Sequence, residues 1–208
     1  MYAHSKLTQS SKSVPHNLGE TSMKMHRVLK SIVLGITCVA VVSSAADAKT
    51  WRLPRCKKDH QPQTLEIITK QNAGWTVNGM NAVNRSDVSW AQVPPSHWIG
   101  PSQDQIGTFT YVVPFSAPGP HLSMKVMATW SADNCGVSLQ GGTGTALNTD
   151  PNGCYETDRD FMYTWQTGWA DFDPNDLNNP NLSLTFVTTN EGSVTGLTGV
   201  FDIVAECE

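Results

Sequence analysis

The stretch that decides the fold is HLSMKVMATW, residues 121–130. Apolar and polar side chains alternate along it, and one side of the alternation carries Leu122, Met124, Val126, Ala128 and Trp130. Successive side chains of a β-strand point to opposite faces of the sheet. The pattern therefore predicts a strand with one buried face and one face towards solvent.

The same period of two recurs along the rest of the chain. It is clear in residues 109–115, 161–165 and 182–186, and weaker strands are expected over 64–69, 75–78, 135–139 and 200–205. Turn-forming pairs such as Asn78-Gly79 and Gly141-Gly142 separate these segments. After residue 48 we find no helical period beyond one short turn near residues 174–177, capped by Asp173. The pattern predicts an all-β fold, an antiparallel β-sandwich or jelly roll in a single domain.

Residues 25–48 have the pattern of a secretory signal peptide. A basic start, His26-Arg27, is followed by the apolar run 32–42 and by Ala46-Asp47-Ala48, which supplies small residues for cleavage. The run is shorter than the roughly 20 apolar residues of a membrane span. We expect residues 1–24 to lie upstream of the true start, with Met23 or Met25 as the initiator, and residues 49–208 to be the mature domain. The expected location is extracellular or periplasmic in a bacterium, without a membrane span after cleavage.

Charge argues against nucleic acid as a partner. The whole chain has a formal net charge of −4, whereas nucleic-acid binding needs a basic patch. The basic residues of the mature chain cluster near its start, at Arg52, Arg55, Lys57 and Lys58. We interpret this cluster as a solvated tail.

Four cysteines follow residue 48, namely Cys56, Cys135, Cys154 and Cys207. An even number in a secreted chain indicates disulfides, and three pairings are possible. We favour Cys56–Cys207, because the ends of a domain often lie close together. The remaining pair, Cys135–Cys154, would close one polar loop. Two disulfides are thus expected, and the absence of a CxxC motif argues against a zinc ribbon or a redox dithiol.

Two segments resemble galactose-binding-like jelly-roll modules of secreted bacterial proteins. The first reads Trp130-Ser131-Ala132-Asp133-Asn134 and continues into Val137-Ser138-Leu139. The second reads LSLTFV at 182–187, followed by Asn190-Glu191-Gly192 and Thr195-Gly196-Leu197. The likeness covers about residues 107–205, and it departs from the family pattern at Gln140-Gly141-Gly142, where an Asn-Gly turn is usual. The resemblance implies a non-catalytic module that binds a glycan or a similar polar ligand through loops at one end.

The candidate site residues come from loops and from one strand corner. Trp130 and Trp165 are in phase with apolar neighbours and are expected in the core, whereas Trp90, Trp98 and Trp169 fall in loops, as sugar platforms or as loop packing. Asp133 and Asn134 sit at a corner, where they either cap the backbone or contact a ligand. The predicted ligand-binding set is Trp98, Trp169, Asp133, Asn134 and Asp171.

The acidic loops at 150–160 and 171–176 raise the question of a metal. The second begins like an EF-hand loop, but Asp176 and Leu182 stand where that motif needs its glycine and its glutamate. We therefore expect capped turns, no metal and no cofactor. HExxH and G-x-S-x-G motifs are absent, so we expect no enzyme, although a pair of loop carboxylates leaves glycoside hydrolysis open as a third possibility.

Besides this third possibility, we weigh two functions of different classes. The first is a secreted carbohydrate-binding or adhesive module. The second is a structural subunit of an extracellular filament, sheath or matrix, a homopolymer in which each copy lends an edge strand to its neighbour. Residues 49–71 are the candidate for such a donated strand, unless they form an ordinary edge strand of their own domain.

Overall fold

The computed structural model describes residues 51–56, 60–86, 90–149, 160–192 and 194–207. These residues lie in one compact unit. The predicted leader and signal peptide, residues 1–48, fall outside the described part. None of the described residues forms a helix with the length and hydrophobicity that a membrane span requires.

Within the described residues the chain forms fourteen β-strands and two short 3-10 turns. The strands are β1 (Trp51–Arg52), β2 (Gln63–Ile68), β3 (Thr76–Val77), β4 (Met80–Asn81), β5 (Val83–Asn84), β6 (Ile99–Gly100), β7 (Gly107–Ser116), β8 (His121–Asp133), β9 (Cys135–Gly141), β10 (Leu147–Asn148), β11 (Trp165–Gln166), β12 (Ala170–Asp171), β13 (Asn181–Asn190) and β14 (Gly196–Cys207). The 3-10 turns cover Asp160–Met162 and Pro174–Asp176. In the second turn, the Asp173 carboxylate accepts a hydrogen bond from the Asn175 N–H, which confirms the predicted cap.

The strands form two sheets that pack together as a β-sandwich, as the alternation predicted. The first sheet has the order β10-β9-β13-β7-β3-β4, with β1 parallel to β7. The second has the order β11-β8-β14-β6-β5, with β12 beside β8 and β2 beside β14. The long strands pair in antiparallel fashion. On one side of the sandwich, β10 is therefore the edge of the first sheet. The edge of the second sheet there is formed by β11 and β12, which both pair with β8.

The core consists of the inward faces that the sequence pattern identified. Phe109, Tyr111, Val113 and Phe115 of β7 are buried, as are Leu182, Leu184 and Phe186 of β13. Trp130 of β8 is only 1% exposed, and its ring centre lies 5.2 Å from that of Phe186 on the opposite sheet. A Cβ on Gly136 would come within 2.3 Å of the Trp130 ring. Packing of the Trp130 indole therefore requires glycine at position 136.

Leu122 does not share the buried face of β8 and is 57% exposed. The cause is a bulge in the pairing of β8 with β14. Glu206 pairs with Ser123, but the next residue, Cys207, pairs with His121, so Leu122 is an extra residue on β8. The bulge reverses the alternation at this end, and His121 turns inward in place of Leu122.

The strand predicted over 161–165 is wrong for most of its length. The segment begins as the 3-10 turn Asp160–Met162, and only Trp165 enters a strand, opposite Trp130. The carbonyl of Phe161 accepts a hydrogen bond from the Ala91 N–H rather than from a neighbouring strand. Tyr163 is consequently 54% exposed, although it shares the alternation of its neighbours.

The Cys56–Cys207 disulfide is present, with a Cα–Cα distance of 5.4 Å. It joins the segment before β2 to the end of β14. The other predicted bond involves Cys154, which lies outside the described residues, so that pairing stays a prediction. All six residues of β2 pair with β14 of the same chain, which is the ordinary edge-strand arrangement.

Candidate functional site

The structure divides the predicted site residues between two regions. Trp98, Asp133 and Asn134 lie at one end of the sandwich, whereas Trp169 and Asp171 lie along its side. Asp171 pairs with Lys125 on β8, while Asp133 is the last residue of the same strand. At about 3.3 Å per residue, the two regions are about 26 Å apart along β8. A single small ligand therefore cannot contact both.

At the end of the sandwich, each predicted residue bonds to other groups of the fold. Trp98 is 4% exposed, and its ring centre lies 4.3 Å from that of Trp90. The Trp98 indole N–H donates to the Ala91 carbonyl, and the Trp90 indole N–H donates to the buried Asp133 carboxylate at 3.0 Å. The two indoles and the carboxylate thus form part of the interior, and Trp98 presents little ring surface to a ligand.

Asn134 has a structural partner as well. Its side-chain oxygen accepts hydrogen bonds from the backbone N–H groups of Glu191 and Gly192, at 2.8 and 3.2 Å. This is the capping role that the sequence left open beside ligand contact. Nearby is a cavity of about 350 Å³, lined by Asn84, Arg85, Ser86, Gln92, His97 and Trp98. Arg85 in that cavity is paired with Asp104 at 2.6 Å.

The side region contains a groove of about 370 Å³ between the two sheet edges. One wall is the segment that leads into β10, and the other is β12 with its flanking residues. The lining residues are Gly144, Thr145, Ala146, Leu147, Trp169, Ala170, Asp171, Phe172, Asp173 and Pro174. We name this feature the edge groove.

The strand alternation of β12 places the polar side chains of the edge groove. Ala170 and Phe172 are buried in the core, so the residues between and beside them face away from it. Asp171 is exposed and Asp173 is half-buried. Trp169 precedes them and is 42% exposed. Trp169, Asp171 and Asp173 therefore follow one another on the outward side of this edge, and all three are among the residues that line the groove.

Lys125 fixes one side of the Trp169 ring. Its ammonium nitrogen lies 4.9 Å from the ring centre, within the range of a cation–π contact. Lys125 also stands opposite Asp171 in the β8–β12 pair, where opposite charges on neighbouring strands attract. The lysine thus contacts the Trp169 ring, and its position in the strand is opposite that of Asp171.

Hydrogen bonds hold the opposite wall in place. The buried Asp176 carboxylate accepts from the Thr143 N–H at 2.6 Å and from its hydroxyl at 3.1 Å. The Gln140 side-chain amide donates to the Gly144 carbonyl at 2.7 Å. A Cβ on Gly144 would come within 2.3 Å of the Asp171 carbonyl. The two walls thus meet closely where Gly144 approaches Asp171.

Two carboxylates at or near the groove have hydrogen-bond partners within the chain. Asp173 accepts from both nitrogens of Asn175, at 2.8 and 2.7 Å, and Asp176 is bonded to Thr143. In the described part of the chain, the ligand-type side chains that meet are Cys56, His121 and Cys207. Two of these three are joined in the disulfide.

Two buried groups away from the edge groove have shifted pKa values. Burial raises the pKa of the Tyr111 hydroxyl, so this core residue stays protonated. Burial also lowers the pKa of His121, although the Ala117 carbonyl acts in the opposite direction. The His121 Nδ1 lies 3.3 Å from the Cys56 sulfur. Both side chains belong to the packing of the sandwich.

Of the residues at the edge groove, the predicted set includes Trp169 and Asp171 but neither Lys125 nor the wall at residues 144–147. Lys125 was visible only as an outward residue of a strand. Its contact with Trp169 depends on β12 pairing with β8, which no local pattern reveals. The Gly141-Gly142 pair predicted a turn before the wall, but it did not indicate that the following residues would lie against β12.

Comparison with protein-family models and with curated proteins finds no match.

Proposed function

We propose that the protein binds a glycan in the edge groove, with Trp169 as the aromatic platform and Asp171 as a hydrogen-bonding partner. The observation that carries the proposal is the exposed Trp169 ring at a groove whose lining residues include Asp171 and Asp173. A pyranose ring has an apolar C–H face and hydroxyls at its rim. An aromatic face beside hydrogen-bond acceptors is complementary to both.

The details of the groove favour a neutral polar ligand. Asp171 stands opposite the cationic residue Lys125 on the neighbouring strand, and Asp173 already accepts from Asn175. These carboxylates retain acceptor capacity, because each oxygen offers two lone pairs. A strongly anionic ligand would be repelled by them, and a purely apolar ligand would leave them without hydrogen-bond partners.

The proposal moves the binding site from the end loops to the side of the sandwich. Trp98, Asp133 and Asn134 are excluded from it because they bond within the fold. The galactose-binding-like identity, the jelly-roll topology and the extracellular or periplasmic location remain part of the proposal. They rest on the sequence resemblance and on the signal-peptide pattern, and the two-sheet sandwich is compatible with them.

The rival role as a polymer subunit has less support. A donated β2 would first have to leave the six residue pairs that it makes with β14. Its chain is also fixed nearby, because Cys56 is bonded to Cys207 at the end of β14. Strand exchange would therefore break existing pairs while the disulfide holds the segment next to its own sheet.

A glycan-array screen of the protein, followed by titration calorimetry on the strongest hit, tests the proposal. Trp169→Ala should weaken binding by about 1–3 kcal/mol, the scale of a lost aromatic anchor. Asp171→Asn should weaken it less, since the amide keeps one acceptor. Glu66→Gln on β2 removes an exposed carboxylate elsewhere and is the matched control. Absence of any bound glycan, or equal losses for Glu66→Gln and Trp169→Ala, would overturn the proposal.

A further inference from the structure

Three side chains with metal-ligand atoms meet where β8 begins and β14 ends. They are Cys56, His121 and Cys207, and one ligand atom from each lies within 4.8 Å of the other two. Cys56 and Cys207 are joined as a disulfide, and the His121 Nδ1 lies 3.3 Å from the Cys56 sulfur. We name these three residues the cysteine–histidine cluster.

The bulge at Leu122 directs His121 into this cluster. Leu122 is the extra residue in the pairing of β8 with β14, so His121 takes the inward position and pairs with Cys207. Bulges re-aim side chains in this way, often beside functional sites. The bulge has an unfavourable consequence, because Leu122 is 57% exposed while a polar imidazole is buried in its place.

The His121 ring is held firmly but incompletely satisfied. The backbone N–H of His121 donates to the Leu177 carbonyl, and a Cβ on Gly119 would lie 3.3 Å from the ring. The side chain is 5% exposed, and its Nε2 has no hydrogen-bond partner among the described residues. Burial of a polar group without a partner is unfavourable, so such a group calls for a role beyond packing.

From this arrangement we propose that the cysteine–histidine cluster is a zinc site when the disulfide is reduced, with two thiolates and one imidazole as ligands. Zn²⁺ binds cysteine sulfur at about 2.3 Å and histidine nitrogen at about 2.0–2.1 Å, in tetrahedral geometry. These bond lengths separate a nitrogen and a sulfur ligand by about 3.5 Å, and two sulfur ligands by about 3.8 Å. The Nδ1–Sγ distance of 3.3 Å is already close to the first value. Opening of the disulfide is therefore the main change that the site requires.

The reductant that opens the site is an external dithiol. Its thiolate attacks the sulfur of Cys56, which is half-buried, whereas Cys207 is only 4% exposed. The bond between the two cysteines breaks, and Cys207 leaves as a thiolate. The second thiol of the reagent then displaces Cys56, so the reagent ends as a disulfide and both cysteines are reduced. Zn²⁺ binds the two sulfurs as thiolates and displaces their protons.

The ligand set determines which cation fits. Thiolates and imidazole favour Zn²⁺ over Ca²⁺ and Mg²⁺, which prefer oxygen ligands. Bound zinc would connect the same two segments as the disulfide, so the ends of the domain would stay joined in the reduced protein. Cys56 is separated from His121 by 65 residues and from Cys207 by 151, so no local motif in the sequence indicates this site.

The test uses Co²⁺ as a spectroscopic probe of the zinc site. The protein is reduced with dithiothreitol, separated from the reagent by gel filtration under nitrogen, and titrated with Co²⁺. The reduced protein should develop the visible bands of tetrahedral cobalt and the near-ultraviolet band of thiolate-to-cobalt charge transfer. Added Zn²⁺ should abolish these bands, and the oxidised protein should not develop them.

Substitutions assign the signal to the cluster. His121→Gln should weaken Co²⁺ binding by at least about tenfold, because even the loss of a residue that only supports a metal ligand has an effect of about 10–100-fold. His97→Gln removes an exposed histidine elsewhere and should bind Co²⁺ as the wild type does. Cys207→Ser should lose most of the charge-transfer band, whereas Cys135→Ser should keep it.

Melting temperatures provide a second readout if the reduced protein is unstable without metal. Zn²⁺ should raise the melting temperature of the reduced wild type more than that of reduced His121→Gln. Absence of the charge-transfer band from the reduced protein, or equal Co²⁺ affinities of wild type and His121→Gln, overturns the zinc site. A band that is lost in Cys135→Ser but retained in Cys207→Ser places the metal at other cysteines and also overturns it.

Discussion

The ammonium nitrogen of Lys125 lies 4.9 Å from the ring centre of Trp169. Lys125 belongs to the long strand β8, whereas Trp169 stands just before the short edge strand β12, so the contact connects the edge to the body of the sheet. An indole held on one side by a cation is restricted in orientation before a ligand arrives. Such preorganisation lowers the entropic cost of binding.

Lys125→Gln should therefore weaken glycan binding without unfolding the protein. A cation–π contact at an exposed site contributes about 0.5–1 kcal/mol, which corresponds to a loss in affinity of about twofold to fivefold. Titration calorimetry with the array-selected glycan measures the effect. Lys70→Gln, which removes an exposed lysine far from Trp169 in the sequence, should bind as the wild type does. Unchanged affinity of Lys125→Gln would show that the lysine does not position the ring.

Trp130→Ala should lower mainly the stability of the fold, whereas Trp169→Ala should weaken mainly glycan binding. Trp130 is buried against Phe186, so its removal leaves a cavity and should lower the free energy of unfolding by about 3–5 kcal/mol. Trp169 is an edge residue, and its removal should change stability by less than about 1 kcal/mol. Urea unfolding of both variants measures the difference. If Trp169→Ala were as unstable as Trp130→Ala, its loss of binding would no longer identify a contact residue.

His121 should make stability depend on pH. Burial lowers its folded-state pKa below the ordinary value of 6.5, so the folded protein disfavours the charged imidazole. The unfolded chain takes up the proton as pH falls through about 6.5, whereas the folded chain takes it up only at lower pH. Stability should therefore decrease with falling pH in this window. His121→Gln should flatten this part of a melting-temperature profile, while His97→Gln, at an exposed position, should not. Identical slopes for His121→Gln and wild type would contradict the assignment.

The two remaining cysteines of the predicted mature domain, Cys135 and Cys154, should be joined to each other. Cys135 begins β9, and Cys154 follows β10 in the chain, so the bond would close the polar loop between them. Peptide mapping without reduction should recover a Cys135–Cys154 peptide together with Cys56–Cys207. A free thiol at Cys135 would contradict the prediction.

Much of the sandwich could be predicted because a period of two reads directly as one buried face. Phe109 to Phe115 and Leu182 to Phe186 follow it without interruption. Leu122 departs from this alternation because of the bulge in the pairing of β8 with β14. The residues around Leu122 do not indicate that pairing. Tyr163 has the right alternation but no partner strand, so the chain turns there instead.

The exposure of the candidate site residues could likewise not be predicted from the sequence, because it too depends on tertiary contacts. Trp98 and Trp169 both stand in loops rich in turn-forming residues, and nothing local separates them. The difference is that Trp98 stacks on Trp90, whereas Trp169 remains at an edge beside Lys125. Asp133 and Asp171 differ similarly, since the first accepts from a buried indole and the second lines the groove. Exposure of these loop residues is set by tertiary contacts.

The most direct test of the account is an NMR titration of ¹⁵N-labelled protein with the glycan selected on the array. The account predicts that the largest shift changes occur at the Trp169 indole N–H and at the backbone amides of Gly144 and Asp171. The Trp98 indole N–H and the Asn134 amide, at the end of the sandwich, should be unchanged. Changes centred on Trp98 and Asn134, with Trp169 unaffected, would contradict the assignment of binding to the edge groove.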